Sequence, residues 1–500
     1  MNRILWIDDE IKLLKPHIML LEQRGYSVTP LACGEDAIPL LKEEKFDLIL
    51  LDEIMPGKDG LAILKEIRDL GIDSPVVIVT KSEDEELIDK AYERAAHDFL
   101  IKPIKFPQLL STVKRILERE KILKSGIPQE YTAFYNRIQD KIMQKTDWKD
   151  WISIYLELTK WDITLEEDEL KDLNKELIST CEREFSRFIE DEYSLWLKGE
   201  ERPILSPDIV KSFLIPQAME KERVYFVVLD CLKLDQWFSI KSLLNEFYEI
   251  KEHYYYSILP SATPYSRNSI YAGLFPSEIA TLYPNYWDPE ANKFEYELLV
   301  NQLRSMKIDK DITHIRVMNL KEAELLKKRV TGIKGIISIV INFLDFVAHL
   351  RKEAEVIHEV APDEEGLRSL TQLWFSKSYL FELLKELSKD NVSIILTTDH
   401  GSIFAKKPTV IHGGKTLSRN LRYKYGPALR CDTRHAIFID EPAHYKLPGK
   451  GVRYGIAKEN YYFIYPTHPH EYEREYKYTF QHGGVSMQEM ILPCAVLSPR

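Results

Sequence analysis

Paired cysteines, long apolar runs and an excess of positive charge are all missing from this sequence. Its five cysteines are scattered, odd in number and never form a C-x-x-C pair. Neither a disulfide framework nor a thiolate zinc site is therefore expected, and a reducing cytoplasm is the compartment that fits. No window supplies the roughly 20 uninterrupted apolar residues of a membrane helix. The early acids in "MNRILWIDDE" do not suit a signal peptide, so no membrane insertion is expected.

Charge and length narrow the class of protein further. The formal net charge is −11, with 44% apolar and 29% charged residues, which is ordinary for a globular protein. An acidic balance argues against a general nucleic-acid coat protein. The chain has 500 residues, too many for one hydrophobic core. About two to four domains are therefore expected.

The first 123 residues alternate between strand-like and helix-like stretches. The runs "RILWI", "FDLILL", "PVVIVT" and "DFLIKP" predict the strands of a doubly wound parallel sheet. Polar residues follow their ends, where the strands of such a sheet meet in one crevice. Three carboxylates there repel one another unless a hard cation such as Mg²⁺ lies between them. A hydroxyl and an ammonium group can hold phosphoryl oxygens beside them. These residues are Asp8, Asp9, Asp52, Thr80 and Lys102.

The segment 1–123 resembles a bacterial response-regulator receiver domain over its whole length. The resemblance rests on the early acidic pair, on "DEIMPGKDG", and on the later Thr and Lys-Pro positions. It implies that Asp52 accepts a phosphoryl group from a sensor histidine kinase, with Asp8, Asp9 and Asp52 around Mg²⁺. It also implies that Thr80 and Lys102 sense the phosphoryl group, and Phe99 matches the family's switch aromatic.

Residues 124–205 are predicted to form a helical bundle linker. Their spacing is helical, with few glycines, many charges and several tryptophans on predicted buried faces. Two prolines in "RPILSPD", at 202–208, interrupt any helix and mark the next boundary. No helix-turn-helix with a basic recognition helix follows the first domain, so a sequence-specific DNA-binding domain is not expected.

Acids and imidazoles follow strand-like runs in the segment 206–500. We expect Gly401 to let the chain turn, so that Asp399 and His400 before it face one site. Asp345 and His349, which are four residues apart, share one face if a helical turn follows the strand. Carboxylate and imidazole ligands without thiolate suit Zn²⁺, with Mn²⁺ or Fe²⁺ as alternatives, and six of them suit two ions. The candidate ligands are Asp230, Asp345, His349, Asp399, His400 and His482.

The order of these residues resembles the alkaline phosphatase superfamily. "SATPYSR" and "HGGVSMQEM" look most like its PglZ branch, over about 209–498, which implies an α/β domain from 206 to 500. By this resemblance one zinc ion takes Asp345, His349 and His482. The other takes Asp230, Asp399 and His400, with Thr263 as bridging nucleophile. Two serines in the same segment, Ser261 and Ser266, leave the choice of Thr263 open.

The reaction predicted for this segment is hydrolysis of a phosphate ester. A sulfatase is disfavoured because Thr263 stands where that class needs Cys or Ser. Arg267 and Asn268 are candidate contacts to phosphoryl oxygens, and the basic stretch 405–426 is either a substrate clamp or a solvated loop. Monoesters and diesters are not separated by these residues.

The whole arrangement resembles PorX-type response regulators, which are linked to type IX secretion in Bacteroidetes. This resemblance implies a phosphodiesterase acting on oligonucleotides or cyclic nucleotides. Phosphate on Asp52 would shift the receiver surface and favour a homodimer. The alternative is a catalytically silent, metal-bound scaffold that acts by binding a transcription factor such as a sigma factor.

Overall fold

The computed structural model describes most of the chain. The described residues are 2–72, 74–80, 97–104, 109, 112–113, 116–117, 129–165, 168–199, 201–289, 292–350, 359–413, 418 and 420–500. The strands are β1 Arg3–Ile7, β2 Ser27–Leu31, β3 Leu48–Asp52, β4 Val76–Thr80, β5 Asp98–Ile101, β6 Arg223–Leu229, β7 Tyr248–Tyr256, β8 Ile312–Val317, β9 Gly335–Ile341, β10 Ser393–Thr397, β11 Ile403–Ala405, β12 Lys407–Val410, β13 Tyr423–Gly426, β14 Ala436–Ile439, β15 Arg453–Ala457, β16 Tyr461–Ile464, β17 Thr479–Gln481 and β18 Ile491–Pro499. The helices are α1 Lys15–Gln23, α2 Ala37–Glu43, α3 Gly60–Asp69, α4 Gln129–Ile142, α5 Trp148–Thr164, α6 Asp168–Trp196, α7 Ile215–Glu220, α8 Leu234–Leu244, α9 Thr263–Ala272, α10 Pro276–Leu282, α11 Glu295–Ser305, α12 Leu320–Val330, α13 Phe343–Leu350, α14 Glu364–Lys377, α15 Tyr379–Leu387, α16 Pro469–Tyr476 and α17 Met487–Met490.

These elements fall into two units, Met1–Asn136 and Arg137–Arg500. The first unit contains a five-stranded sheet in the order β2-β1-β3-β4-β5, in which every pair is parallel. Side chains alternate between its faces. Ile4 and Trp6 of β1 pack in one hydrophobic cluster, and Leu5 and Ile7 pack in the other. The predicted doubly wound parallel sheet is confirmed, and burial on both faces explains why its strands are continuous apolar runs.

The motif "DEIMPGKDG" forms the loop from the last residue of β3, Asp52, to the first residue of α3, Gly60. Asp59 caps α3, because its side chain accepts a hydrogen bond of 2.6 Å from the backbone N–H of Ala62. A Cβ at Gly60 would lie only 2.2 Å from the carbonyl oxygen of Asp52. The first turn of α3 therefore presses against the end of β3, and this contact fixes the backbone around Asp52.

The linker helices α5 and α6 belong to the second unit. Asp147 and Asp150 form a capping box at the start of α5. Trp151 of α5 packs edge-on against Phe185 of α6, with ring centroids 5.4 Å apart. Phe185 in turn stacks on Tyr256 of β7, with centroids 6.3 Å apart. Aromatic packing thus fixes both helices to the sheet of this unit.

The main sheet of the second unit has the order β7-β18-β10-β6-β9-β8. Strands β10, β6, β9 and β8 are parallel, whereas β18 is antiparallel to both of its neighbours. Small sheets pair β11 with β17, β12 with β16, and β13 with β15 and β14. The carboxyl ends of β6, β9 and β10 therefore open at the same edge of the main sheet. Within the described ranges, none of the helices combines the length and apolar character that crossing a bilayer requires.

Candidate functional site

The acidic residues of the first unit meet at the carboxyl end of its sheet. Ligand oxygens of Asp8, Asp9 and Asp52 all lie within 4.8 Å of one another. The ammonium nitrogen of Lys102 lies 2.8 Å from Oδ2 of Asp8 and 2.8 Å from Oδ2 of Asp52. A cavity of about 390 Å³ opens beside Asp9 and Asp52. Four of the predicted receiver residues thus form one cluster, and two of them line this cavity.

The charges of this pocket depend on one another. Burial raises the pKa of the Asp52 carboxyl, the Lys102 hydrogen bond lowers it, and the charge of Asp8 raises it again. Burial tends to lower the pKa of Lys102, but its hydrogen bonds to Asp52 and Asp8 raise it overall. Three carboxylates facing one ammonium group leave excess negative charge, which a divalent cation would offset.

Thr80 has a partner that the sequence did not indicate. Its hydroxyl donates a hydrogen bond to the carboxylate of Glu53, and both residues are buried. Glu53 directly follows Asp52 and looks like one more acid in a polar loop, so no sequence pattern signals this contact. The side chain of Phe99, the predicted switch aromatic, lies outside the described residues.

A second acidic cluster lies where β6 and β10 end. Asp230 directly follows β6, and Asp399 and His400 come just after the end of β10 at Thr397. Nε2 of His400 lies 3.5 Å from Oδ1 of Asp230 and 3.6 Å from Oδ2 of Asp399. All three side chains are buried, and one ligand atom from each lies within 4.8 Å of the others. The structure therefore brings this predicted trio together.

Gly401 matters for a reason different from the one expected from sequence. Its φ is not positive, so this position does not use the left-handed freedom of glycine, although Asp399 and His400 do face one site as expected. A Cβ at this position would instead lie 1.9 Å from the carbonyl oxygen of Gln488. The N–H of Gly401 also donates to the carbonyl oxygen of Glu489 at 3.2 Å. Close backbone packing thus demands the glycine.

Substituting Gly401 with alanine tests this packing. The added methyl group cannot fit unless backbone moves, so Gly401→Ala should lower the free energy of unfolding by about 1–3 kcal/mol, a typical overpacking cost. Urea denaturation of wild type and variant measures the difference. An unchanged midpoint and slope would show that the segment relaxes freely.

Thr263 lies against the acidic trio as the first residue of α9. Its Oγ1 is 2.8 Å from Nε2 of His400. The other ring nitrogen of His400, Nδ1, lies 3.0 Å from the carbonyl oxygen of Gly401. Because that contact suits an Nδ1–H donor, Nε2 keeps its lone pair for a proton or a metal ion.

The second predicted ligand set lies beside the first. Nε2 of His482 is 3.5 Å from Oδ1 of Asp345, near the start of α13. The rings of His400 and His482 stack with centroids 4.2 Å apart and planes 16° apart. The side chain of His349 lies outside the described residues. Six of the seven predicted residues, Thr263 included, therefore form one continuous cluster.

The donor set fits a divalent metal ion in the trio of Asp230, Asp399 and His400. Buried carboxylate oxygens and an imidazole nitrogen with a free lone pair are zinc ligands. Burial raises the pKa of Asp230 well above its usual range, Arg267 lowers it, and Asp399 and Asp345 raise it. Among the described residues, Oδ1 of Asp230 finds no hydrogen-bond partner. Burying a carboxylate oxygen without a donor is costly, and a bound metal ion would offset that cost.

The predicted substrate contacts lie deeper than expected. Arg267 and Asn268 are buried, and the Asn268 amide donates to the carbonyl oxygen of Pro264 at 2.8 Å. In the basic stretch 405–426, Arg422 is buried in an ion pair with Glu489, with Nη2 and Oε2 2.6 Å apart. The described part of this stretch is therefore not one exposed basic surface.

Three residues, Glu489, Gly484 and Ser261, support the loop that carries His482, a role that the sequence did not indicate. Glu489 also accepts a hydrogen bond of 2.8 Å from the N–H of Gly484, next to the loop of His482. A Cβ at Gly484 would lie 2.3 Å from the Arg422 guanidinium, which explains this glycine. The hydroxyl of Ser261 donates to the carbonyl oxygen of Gly484 at 2.7 Å. Ser261 thus holds the loop of His482.

Comparisons with curated proteins match about a quarter of this chain to transcriptional regulatory proteins. The transcriptional regulatory protein ZraR of Salmonella typhimurium is 33% identical over 135 residues, which are 27% of this chain and 31% of ZraR. The regulator ResD of Bacillus subtilis is 32% identical over 118 residues, 24% of this chain and 49% of ResD. The chain thus spans less than half the length of either relative.

Comparisons with solved structures also match about a quarter of this chain. A two-component response regulator from Clostridium difficile is 32% identical, with 24% of this chain and 98% of that one covered and a TM-score of 0.23. The response regulator TrrA from Thermotoga maritima, solved with Mg²⁺ and BeF, is 30% identical, with 23% and 100% covered and a TM-score of 0.22.

Three family models match in succession along the chain. The response regulator receiver domain matches residues 4–114, and the PorX response regulator linker domain matches 121–197. The alkaline phosphatase-like PglZ domain of BREX systems matches 210–497, more than half of the chain. The resemblance inferred from the motifs is confirmed. The chain therefore belongs to the PglZ alkaline phosphatase-like family, as a response regulator with a receiver domain and a PorX-type linker.

Proposed function

We propose that this response regulator is a two-zinc phosphodiesterase controlled by phosphorylation of Asp52. The observation that carries the proposal is the 2.8 Å contact between Oγ1 of Thr263 and Nε2 of His400, inside a buried cluster of carboxylates. A hydroxyl so placed, at the start of a helix and beside metal-ligand side chains, is arranged to attack phosphorus.

Asp230, Asp399 and His400 would hold one zinc ion, and Asp345, His349 and His482 the other. Zinc bound there would lower the pKa of the Thr263 hydroxyl and offset charge on the phosphoryl oxygens. The side chains of this chain supply the geometry. The Oγ1–P bond would form as the ester P–O bond breaks, with the hydroxyl proton passing to the departing alcohol. Water would then cleave the Oγ1–P bond, release a phosphomonoester and restore the hydroxyl.

The helix α9 supports Thr263 electrostatically. Thr263 is its first residue. Pro264 has no N–H, and the N–H groups of Tyr265 and Ser266 both donate to the carbonyl oxygen of Ala262, so the support comes from the dipole of the helix. The positive end of the helix dipole favours negative charge there. Both the attacking oxygen and a phosphoryl group attached to it would gain from this position.

The substrate we propose is a diester of the oligonucleotide or cyclic-nucleotide class. A threonine nucleophile favours diesterases by superfamily analogy, and the PorX-type linker favours this substrate class and a role in type IX secretion. A sensor histidine kinase would phosphorylate Asp52 beside Mg²⁺ held by Asp8, Asp9 and Asp52. Phosphorylation would promote a homodimer and so change access to the effector site.

Removal of metal tests the proposal. Protein stripped with a chelator should lose hydrolysis of bis(p-nitrophenyl) phosphate and recover it when about two zinc ions per chain return. Zinc at 100 times its dissociation constant should stabilise the folded chain by about 2.7 kcal/mol per site, measurable as a rise in Tm. If zinc-reloaded wild type hydrolyses the diester no faster than zinc-reloaded Asp230→Asn, the proposed enzymatic activity is contradicted. The alternative, a metal-bound scaffold without catalytic activity, would then be favoured.

A further inference from the structure

We infer that Glu295 is a positioning residue of the proposed zinc site, acting through Arg267 on Asp230 and Asp399. This inference rests on the proposed function, because it gives these two aspartates the role of zinc ligands. Glu295 lies at the start of α11, and no sequence motif connects it with the site. Its connection runs through buried contacts alone.

The first contacts are those of the Arg267 guanidinium group. Its Nε and Nη2 each lie 3.0 Å from Oδ2 of Asp399, and Nη2 also forms an ion pair with Oδ2 of Asp230. Its Nη1 lies 3.4 Å from Oε1 of Glu295. A guanidinium group is planar and its donors form a rigid fork. Fixing its Nη1 side therefore sets the orientation of the side that faces the two aspartates.

Glu295 is itself held from several directions. The amide of Asn292 donates to its Oε1 at 3.0 Å. Its Oε2 lies 3.3 Å from Nε2 of His314 and 3.3 Å from Nε of Arg316, both on β8. Nδ1 of His314 lies 3.1 Å from the hydroxyl of Ser338 on β9. The carboxylate is thus anchored to two strands of the main sheet, which makes it a rigid support.

Backbone N–H groups hold the other oxygen of Asp399. Oδ1 of Asp399 accepts the backbone N–H of His400 at 3.1 Å, while Arg267 occupies its Oδ2. Oδ1 of Asp230 faces Nε2 of His400. Each aspartate is therefore oriented from behind by a cation, in the way that hydrogen-bonded supporting groups orient metal ligands.

The environment of Arg267 does not suit direct contact with substrate. The side chain is wholly buried, and its donors point to three carboxylates. Asp230 and Asp399 would have to lose their ion pairs with Arg267 for the guanidinium to reach a phosphoryl group. Breaking buried ion pairs in this way is strongly destabilising. Orientation of ligands is the role that these contacts support.

Glu295→Gln tests the inference, because it keeps the size of the side chain and removes its charge. We expect zinc affinity to fall about 10- to 100-fold, the usual loss on changing a residue that supports a ligand. Competition with a chromogenic chelator measures this affinity without any turnover. Arg267→Lys, which cannot bridge two carboxylates with a fork, should lose affinity in the same range. Glu297→Gln, two residues along the same helix, is the matched control and should bind zinc as wild type does.

The outcomes separate this inference from the proposed function. Wild type without zinc affinity would contradict the proposed function. Wild type and Glu295→Gln with equal affinity would overturn only the role of Glu295. If Arg267→Lys keeps its zinc affinity but has a raised KM, the positioning role of Glu295 through Arg267 is also overturned. Arg267 would then be a substrate contact. If Glu295→Gln does not fold, Glu295→Asp carries the same expectation, because its shorter carboxylate withdraws from Arg267.

Discussion

Thr263→Val abolishes phosphodiester hydrolysis, if Thr263 is the nucleophile. Valine keeps the shape of threonine and removes Oγ1, the atom 2.8 Å from Nε2 of His400. Loss of an attacking atom usually costs at least about 10³-fold in kcat. Steady-state kinetics on zinc-loaded protein with bis(p-nitrophenyl) phosphate measures the loss. Zinc affinity should fall far less, because two carboxylates and an imidazole remain.

Two hydroxyl variants sharpen the test. Thr263→Ser restores an attacking oxygen and should recover part of the rate. Ser266→Ala is the matched control on the same helix, since the Ser266 hydroxyl pairs with that of Ser257 at 2.7 Å, and it should keep most of the wild-type kcat. A Thr263→Val protein as active as wild type, or an inactive Ser266→Ala protein that folds and binds zinc, would refute Thr263 as nucleophile.

Asp52→Asn removes phosphorylation of the receiver. The amide is not a nucleophile toward phosphorus, and it also weakens the predicted Mg²⁺ site by one charge. Wild type should incorporate phosphate from acetyl phosphate and form a dimer with beryllofluoride, whereas Asp52→Asn should do neither. Phosphate labelling and sizing chromatography measure the two effects.

Asp59→Asn is the control for this variant. Asp59 lies in the same loop but caps α3, and asparagine caps helices about as well. Labelling of Asp59→Asn should match wild type. Equal labelling of wild type and Asp52→Asn would show that another residue accepts the phosphoryl group. If the mass of wild type in sizing chromatography does not change with beryllofluoride, phosphorylation does not promote dimer formation.

The receiver could be predicted almost completely from its sequence. Its strands are short apolar runs, and each candidate functional residue either ends a strand, as Asp52 and Thr80 do, or follows a strand closely, as Asp8 and Lys102 do. Local pattern and the geometry of parallel sheets therefore suffice to bring Asp8, Asp52 and Lys102 together. The contact of Glu53 with Thr80 could not be predicted, because it depends on side-chain rotamers across two strands.

In the second unit, the residues at the strand ends could be predicted from the sequence, whereas the buried residues that support them could not. Asp230 and Asp399 follow apolar runs, so their meeting could be expected from pattern. The support from Glu295 joins α11 to α9 through a buried guanidinium group, and nothing in the spacing of residues 267 and 295 signals it. The close approach of Gly401 to Gln488 is likewise a tertiary packing effect. Such contacts come from packing between elements that are distant in sequence.

Anomalous scattering at the zinc edge from crystals of zinc-loaded protein tests the central claim most directly. The account predicts two peaks per chain about 4 Å apart. One should lie about 2.0–2.2 Å from ligand atoms of Asp230, Asp399 and His400, and the other beside Asp345 and His482. If neither place shows a peak, or if zinc ions are found only at surface residues elsewhere, the account is contradicted.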